Sequence, residues 1–88
     1  MKILLTGHKG FIGSHMLTAF EQANHTVTTY EWDEVSKPTV DGHDWVVHVG
    51  AISSTTERDV DKIMRQNYDF SVDLYRECRF QQINFQYA

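Results

Sequence analysis

Short apolar runs alternate with amphipathic segments along this chain. Lys2 to Thr6 is a continuous apolar run that ends at a glycine, and Trp45 to Val49 repeats that pattern. Runs of this kind are typical of strands buried on both faces of a parallel sheet. Val27 to Glu31 is rich in β-branched and aromatic residues, and Ile83 to Tyr87 begins a similar stretch, so strands are predicted there too. Four strands are therefore expected.

Two amphipathic helices are predicted between these strands. From Phe11 onward, apolar residues recur at intervals of three and four, which is the helical period, at Ile12, Met16, Ala19, Phe20 and Ala23. Asn24 is suited to a left-handed cap at the end of this helix. A long second helix is expected to start near Ser54 or Thr56, with a stripe at Val60, Ile63, Met64, Asn67, Ser71, Leu74, Tyr75 and Cys78. Alternating strands and helices predict an α/β fold with a doubly wound parallel sheet.

Composition and charge restrict the class of protein. The chain has 88 residues, 41% of them hydrophobic, and a formal net charge of -4, as expected of one small domain or a piece of a larger one. This mild acidity argues against a nucleic-acid or anionic membrane partner. Cys78 is the only cysteine, and the five histidines share no metal-ligand spacing, so neither a disulfide nor a metal site is expected. No apolar stretch approaches the roughly 20 residues of a membrane span, and a cytoplasmic location is predicted.

The stretch TGHKGFIGS places three glycines between the first strand and the first helix. Such a turn lets a dinucleotide pyrophosphate rest on backbone N–H groups at the positive end of the helix dipole. Gly7 would permit the turn, Gly10 would let the phosphate approach, and Gly13 would let helix and strand pack closely. The alternative is a tight β–α turn without a ligand. The spacing G-x-x-G-x-x-G is a variant associated with short-chain dehydrogenase/reductase proteins.

An acidic residue follows the second strand at the position that a dinucleotide site requires. Glu31 lies 18 residues beyond Gly13, where a carboxylate can accept hydrogen bonds from the adenosine ribose. It would also repel a 2′-phosphate, so NAD is expected as the cofactor, with NADP possible because Lys37 could neutralise that phosphate. A solvated acid within EWDE is the alternative. Trp32 could pack near adenine or cover an apolar gap.

Three motifs together resemble one family. TGHKGFIGS, HVGAISSTTE and NYDFSVDLYREC look like parts of the extended short-chain dehydrogenase/reductases, the NAD-dependent epimerase/dehydratase family. The resemblance implies a Rossmann-like fold and, in the full-length family, redox epimerisation or dehydration of nucleotide sugars. It also implies contacts to the pyrophosphate from Gly7, Gly10, Phe11, Ile12 and Gly13, to adenosine from Glu31 and Trp32, and to the ribose and nicotinamide from Gly50, Ala51, Ile52 and Ser53.

Asn67 interrupts the apolar stripe of the second helix. An unpaired buried amide costs about 1 to 3 kcal/mol, so its side chain must have partners if it is buried. In the resembled family the matching asparagine lies beneath the cofactor. A structural amide without ligand contact is the equal alternative.

Two departures from the family pattern limit the expected activity. Only 13 residues separate Glu31 from Trp45, where family members fit a third strand and a helix, so a sheet truncated to about four strands is predicted. The catalytic Ser/Thr and Tyr-x-x-x-Lys of the family are also missing. Arg79, not a lysine, stands four residues after Tyr75, and Tyr75 precedes the strand that should carry the catalytic serine. Residues 1–88 are therefore expected to form a partial NAD(P)-binding domain without a substrate domain, taking a nucleotide sugar only if completed by further residues. The alternative is a non-catalytic nucleotide-binding module or an inert remnant, which could pair with itself or with a full-length relative through an exposed sheet edge.

Overall fold

The computed structural model describes residues 1–32, 36–49, 61 and 64–87, with the main chain alone for Gln66 and Asn67. Its strands are β1 (Lys2–Thr6), β2 (Thr26–Tyr30), β3 (Trp45–His48) and β4 (Asn84–Tyr87). Its two α-helices are α1 (Phe11–Gln22) and α2 (Phe70–Phe80). The strands start within one residue of their predicted positions. The predicted start of the second helix lies outside the described residues.

All four strands are parallel and lie in the order β2-β1-β3-β4. Thr6, the last residue of β1, is level with Tyr30 on one side and with His48 on the other. The carboxyl ends of three strands therefore meet at one edge of the sheet. β2 is an edge strand, because within the described ranges no further strand pairs with its outer side. The four-stranded sheet agrees with the predicted number of strands, and residues 36–44 of the connection to β3 contain no strand.

Each face of the sheet has its own apolar cluster. The face beneath α1 buries Ile3, Leu5 and Val47, and the opposite face, beneath α2, buries Leu4, Val40, Val46, Phe70, Leu74 and Cys78. Val40 belongs to the segment 36–44, which crosses from β2 to β3. This connection therefore contributes a buried valine to the apolar cluster on the α2 side of the sheet.

The buried face of α1 differs from the predicted stripe. Met16, Leu17 and Phe20 pack on the sheet, whereas Ile12, Ala19 and Ala23 are exposed. The cause is Gly13, which must face the glycine turn because there is no room for a side chain between them. Residues three, four and seven positions after Gly13 share its face of the helix. Close packing at one glycine thus sets the rotation of the whole helix.

The end of α1 follows the prediction for Asn24. This residue has a φ of 65°, and its N–H donates to the carbonyl of Glu21 at 3.0 Å. The next N–H, of His25, donates to the carbonyl of Phe20 at 3.0 Å. Left-handed asparagine is a common helix terminator, because its side chain tolerates this backbone conformation.

The buried face of α2 also differs from the predicted stripe. Phe70, Leu74 and Cys78 are buried, whereas Met64 and Tyr75, which the predicted stripe included, are about half exposed. A π-helical turn at Arg65–Asp69 precedes α2. Such a turn contains more residues than an α-helical turn, so a stripe extrapolated through it at the α-helical period loses its register. Burial at the end of this stripe raises the pKa of the Cys78 thiol to about 11, with a smaller contribution from Glu77.

Candidate functional site

The glycine turn joins β1 to α1 at the carboxyl edge of the sheet. Gly7 has a φ of 80°, which an L side chain rarely adopts, and its N–H donates to the carbonyl of Tyr30 at 2.9 Å. The N–H of Gly10 then donates back to the carbonyl of Gly7 at 3.2 Å. The left-handed residue therefore reverses the chain, as the sequence predicted, and the turn is tied to the end of β2.

Gly13 and Gly10 lack side chains for different reasons. A Cβ atom at Gly13 would lie 1.9 Å from the carbonyl oxygen of Gly7 and 2.7 Å from its carbonyl carbon, which are backbone atoms. A Cβ atom at Gly10 would meet only the same oxygen, at an ordinary 3.6 Å. The protein itself therefore leaves room at Gly10, and only Gly13 is required for packing.

The start of α1 faces this open position. Gly10 precedes the helix in an extended conformation, no side chain caps the first turn, and no acidic residue lies within it. The first N–H groups of a helix have no partners inside it, and they carry the positive end of the helix dipole. The side chains of Phe11 and Ile12 are largely exposed here, at 80% and 55%. This helix start can accept an anion on its main chain.

Glu31 lies beside the glycine turn. Its Oε1 accepts a hydrogen bond from the backbone N–H of Lys9 at 2.9 Å and lies 3.6 Å from Nδ1 of His8. That Nδ1 is buried and makes no hydrogen bond within the described part of the chain. The acid and the turn are thus in contact across 22 residues of sequence. The Glu31 carboxylate therefore lies beside both the backbone and the imidazole of the glycine turn.

Trp32 lies between the sheet and a cleft. It is half-buried and packs against the apolar cluster beneath α2. The cleft, of about 630 Å³, runs between the segment 36–40 and the start of α2, and Trp32 lines it together with Pro38 and Phe70. Lys37, on its rim, places Nζ 3.9 Å from Asp73 Oδ2, and both side chains are largely exposed. The Lys37 ammonium is therefore directed toward α2 in this structure.

A buried histidine that was not among the predicted site residues connects the strand ends to α2. His48 is fully buried, with Nδ1 2.6 Å from Thr6 Oγ1 and Nε2 2.7 Å from Ser71 Oγ. Thr6 Oγ1 also accepts the backbone N–H of Val49 at 3.2 Å. Burial lowers the pKa of His48 to about 4, so the imidazole is neutral at physiological pH. The sequence does contain a signal for this pair. Thr6 and His48 are polar residues at the ends of two apolar strands that are expected to be buried.

Several predicted site residues have no described side chain. Gly50, Ala51, Ile52 and Ser53 lie outside the described residues. Asn67 belongs by its main chain to the π-helical turn before α2, and its side chain is not described. Their roles remain predictions from the resemblance.

Two further observations concern other kinds of site. In the described part of the chain, no three or more His, Cys, Asp or Glu side chains are close enough to hold a metal ion, and no helix is long and apolar enough to cross a membrane. On the surface of α2, Arg79 Nη1 donates to Tyr75 Oη at 3.2 Å. The residue four positions after Tyr75 is therefore an arginine that contacts the tyrosine hydroxyl.

The open parallel sheet and the glycine turn at its carboxyl edge define a Rossmann-like α/β protein. A sequence profile of the NAD dependent epimerase/dehydratase family matches residues 3–88. The chain belongs to this family.

Curated relatives support this assignment. Over an alignment of 117 positions, the chain is 28% identical to the ADP-L-glycero-D-manno-heptose-6-epimerase of Alkalilimnicola ehrlichii, a match that covers 98% of this chain and 35% of the relative. It is 38% identical over 58 residues to the enzyme of the same name from Fusobacterium nucleatum, covering 66% of this chain and 17% of that relative. The chain therefore spans about a third or less of the length of these relatives.

Solved structures share the fold. A short-chain dehydrogenase/reductase superfamily protein from Agrobacterium tumefaciens, with bound NAD, superposes with a TM-score of 0.85 at 20% identity, over 99% of this chain and 32% of that one. The ADP-L-glycero-D-manno-heptose-6-epimerase of Helicobacter pylori superposes with a TM-score of 0.78 at 19% identity, over 98% and 38%. These likenesses confirm the predicted fold class.

Proposed function

We propose that this chain binds NAD through the turn from Gly7 to Gly13 and forms the cofactor-binding part of a redox epimerase or dehydratase of nucleotide sugars. The main observation behind this proposal is the open position at Gly10, beside a helix start without a side-chain cap. A pyrophosphate fits such a position because backbone N–H groups and the helix dipole both favour an anion. Membership of the NAD dependent epimerase/dehydratase family supports the choice of ligand.

The remaining contacts are assigned along the sheet edge. Glu31, beside the turn, would accept hydrogen bonds from the adenosine ribose, and Trp32 would flank the adenine. Gly50 to Ser53 would line the ribose and nicotinamide side, and Asn67 would support the cofactor from below. Bound NAD would supply a hydride acceptor, and the residues of this chain would bind and orient it. With no Tyr-x-x-x-Lys in the sequence, we propose that these 88 residues bind the cofactor without catalysis.

Thermal unfolding with increasing NAD tests this proposal. A ligand that binds only the folded chain stabilises it by about 2.7 kcal/mol at 100 times its Kd, so the unfolding midpoint should rise by roughly 10 °C or more. The Gly10→Ala variant should unfold near the wild-type midpoint without ligand, because its methyl group meets no close protein atom. Its NAD affinity should fall by about tenfold or more, since the methyl group occupies the phosphate position.

The matched control is Gly42→Ala, in an exposed turn away from the site. Gly42 has a φ of 77° and nothing within 4 Å of its Cβ position, so the variant should lose stability but keep the NAD shift. A wild-type transition that is cooperative and unmoved by 10 mM NAD, about the upper end of a useful titration, would contradict the proposal. Equal NAD shifts in wild type and Gly10→Ala would disprove the placing of the pyrophosphate.

Replacing Glu31 tests the cofactor preference. Glu31→Gln keeps an oxygen that can accept from the Lys9 N–H but removes the charge that would repel a 2′-phosphate. The ratio of the Kd for NADP to the Kd for NAD should fall by about tenfold. Titration calorimetry with both dinucleotides measures this ratio. Glu21→Gln, which removes the same charge at the far end of α1, should leave the ratio unchanged; equal changes in both variants would reject the role of Glu31.

A further inference from the structure

We infer that His48 is a positioning residue for the proposed dinucleotide site, which it aligns by holding the Thr6 hydroxyl between the ends of β1 and β3. This inference rests on the proposed function. His48 is 0% exposed and Thr6 is 1% exposed, so neither side chain can exchange its partners for water. A buried polar group destabilises the fold unless its hydrogen-bonding atoms are satisfied, and both imidazole nitrogens are.

The Thr6 hydroxyl joins the two strand ends that border the proposed site. Thr6 directly precedes Gly7, and Val49 directly precedes Gly50. The N–H of Val49 reaches both the hydroxyl of Thr6, at 3.2 Å, and its carbonyl oxygen, at 3.1 Å. The contact to His48 Nδ1, at 2.6 Å, fixes the rotation of this hydroxyl. The position of Gly7 relative to the end of β3 at Val49 therefore depends on a buried side chain that need not touch the ligand.

The two ring nitrogens of His48 contact different elements of the fold. Nδ1 contacts Thr6 on the sheet, and Nε2 contacts Ser71 on α2 at 2.7 Å. The ring is also surrounded by aromatic side chains, with ring centroids of Phe70 and Tyr87 at 5.3 Å. Loss of the Nε2 contact should loosen the attachment of α2. Loss of the Nδ1 contact should also disturb the strand ends, and this difference separates positioning from ordinary packing.

Substitutions can remove one contact at a time. The amide of asparagine lies near the position of an imidazole Nδ1, and the amide of glutamine lies near that of Nε2. His48→Gln and Thr6→Val therefore remove the contact on the sheet side, and Ser71→Ala removes the contact on the helix side. His48→Asn and Thr6→Ser retain a polar atom on the sheet side and serve as rescue variants. For each protein, the unfolding midpoint is measured by thermal denaturation and the NAD affinity by calorimetry at pH 7.5. Circular dichroism at the same pH checks that each variant is folded.

The expected result is a split between stability and affinity. All three removals should lower the midpoint, but only His48→Gln and Thr6→Val should weaken NAD binding, by about tenfold. His48→Asn and Thr6→Ser should bind NAD within about threefold of wild type, and so should Ser71→Ala. If Thr6→Val does not fold, the comparison of His48→Gln with His48→Asn decides the question.

Two other outcomes would overturn the inference, and they are distinguishable from failure of the proposed function. If NAD affinity falls in proportion to the unfolding midpoint in Ser71→Ala as it does in His48→Gln and Thr6→Val, His48 is a packing residue only. Unchanged NAD affinity in every variant would exclude positioning through Thr6. Both outcomes require a wild-type chain that binds NAD, whereas absence of wild-type binding rejects the proposed function itself and the inference with it.

Discussion

Gly13→Ala is expected to lower the unfolding midpoint by about 12 °C or more. The added Cβ would lie 1.9 Å from the carbonyl oxygen of Gly7 and 3.0 Å from the Cα of His8. These are backbone atoms of a turn that is itself hydrogen-bonded to the end of β2. Neither rotamer changes nor side-chain movement can relieve such a clash, so α1 must move away from β1. We expect a loss of about 3 kcal/mol or more, the upper end of overpacking costs.

Thermal and urea unfolding of the same variants measure this effect. Gly42→Ala is the graded control, because it carries a left-handed φ of 77° but meets no atom within 4 Å. Its cost should be about 1 to 2 kcal/mol, from backbone conformation alone. The packing role of Gly13 fails if its alanine variant is no less stable than the Gly42 variant.

Acidification from pH 6.5 to pH 4 is expected to remove about 3 kcal/mol of stability through His48 alone. Burial lowers the pKa of this imidazole from 6.5 to about 4 in the folded chain. Between these values the unfolded chain binds a proton at this position that the folded chain does not bind. Stability therefore rises with pH in this window, is complete above pH 6.5, and falls by about 1.4 kcal/mol for each pH unit on the way down to 4.

His48→Asn isolates this contribution, because asparagine does not titrate. The free energy of unfolding is measured by urea denaturation at intervals from pH 7.5 to pH 4, in both proteins. All other histidines and carboxylates are present in both, so the difference between the two curves reports His48. The difference should shrink steadily below pH 6.5. Parallel curves would mean that the imidazole is protonated equally in the folded and unfolded chain.

Much of the site could be predicted because its parts are local in sequence. The turn from Gly7 to Gly13 needs only three glycines between a strand and a helix. Gly7 has the predicted turn conformation and Gly13 the predicted close packing, whereas the approach of a phosphate to Gly10 stays a prediction. The place of Glu31 followed from the length of one strand–helix–strand unit. Its contact with the Lys9 N–H was not predictable, because it depends on the path of the main chain through the turn. The His48 network was missed for a similar reason, since its partner Thr6 is 42 residues away.

The amino-acid sequence by itself determined the elements of this protein. Continuous apolar runs specify buried strands, the helical period specifies α1, and Asn24 and the glycines specify where the chain turns, because these choices depend on neighbouring residues alone. Only the tertiary structure decided which faces are buried. Close packing at Gly13 rotated α1 onto Met16, Leu17 and Phe20, and the strand order β2-β1-β3-β4 brought Thr6, His48 and Ser71 together. Those outcomes depend on contacts between residues distant in sequence, which neither periodicity nor local propensity encodes.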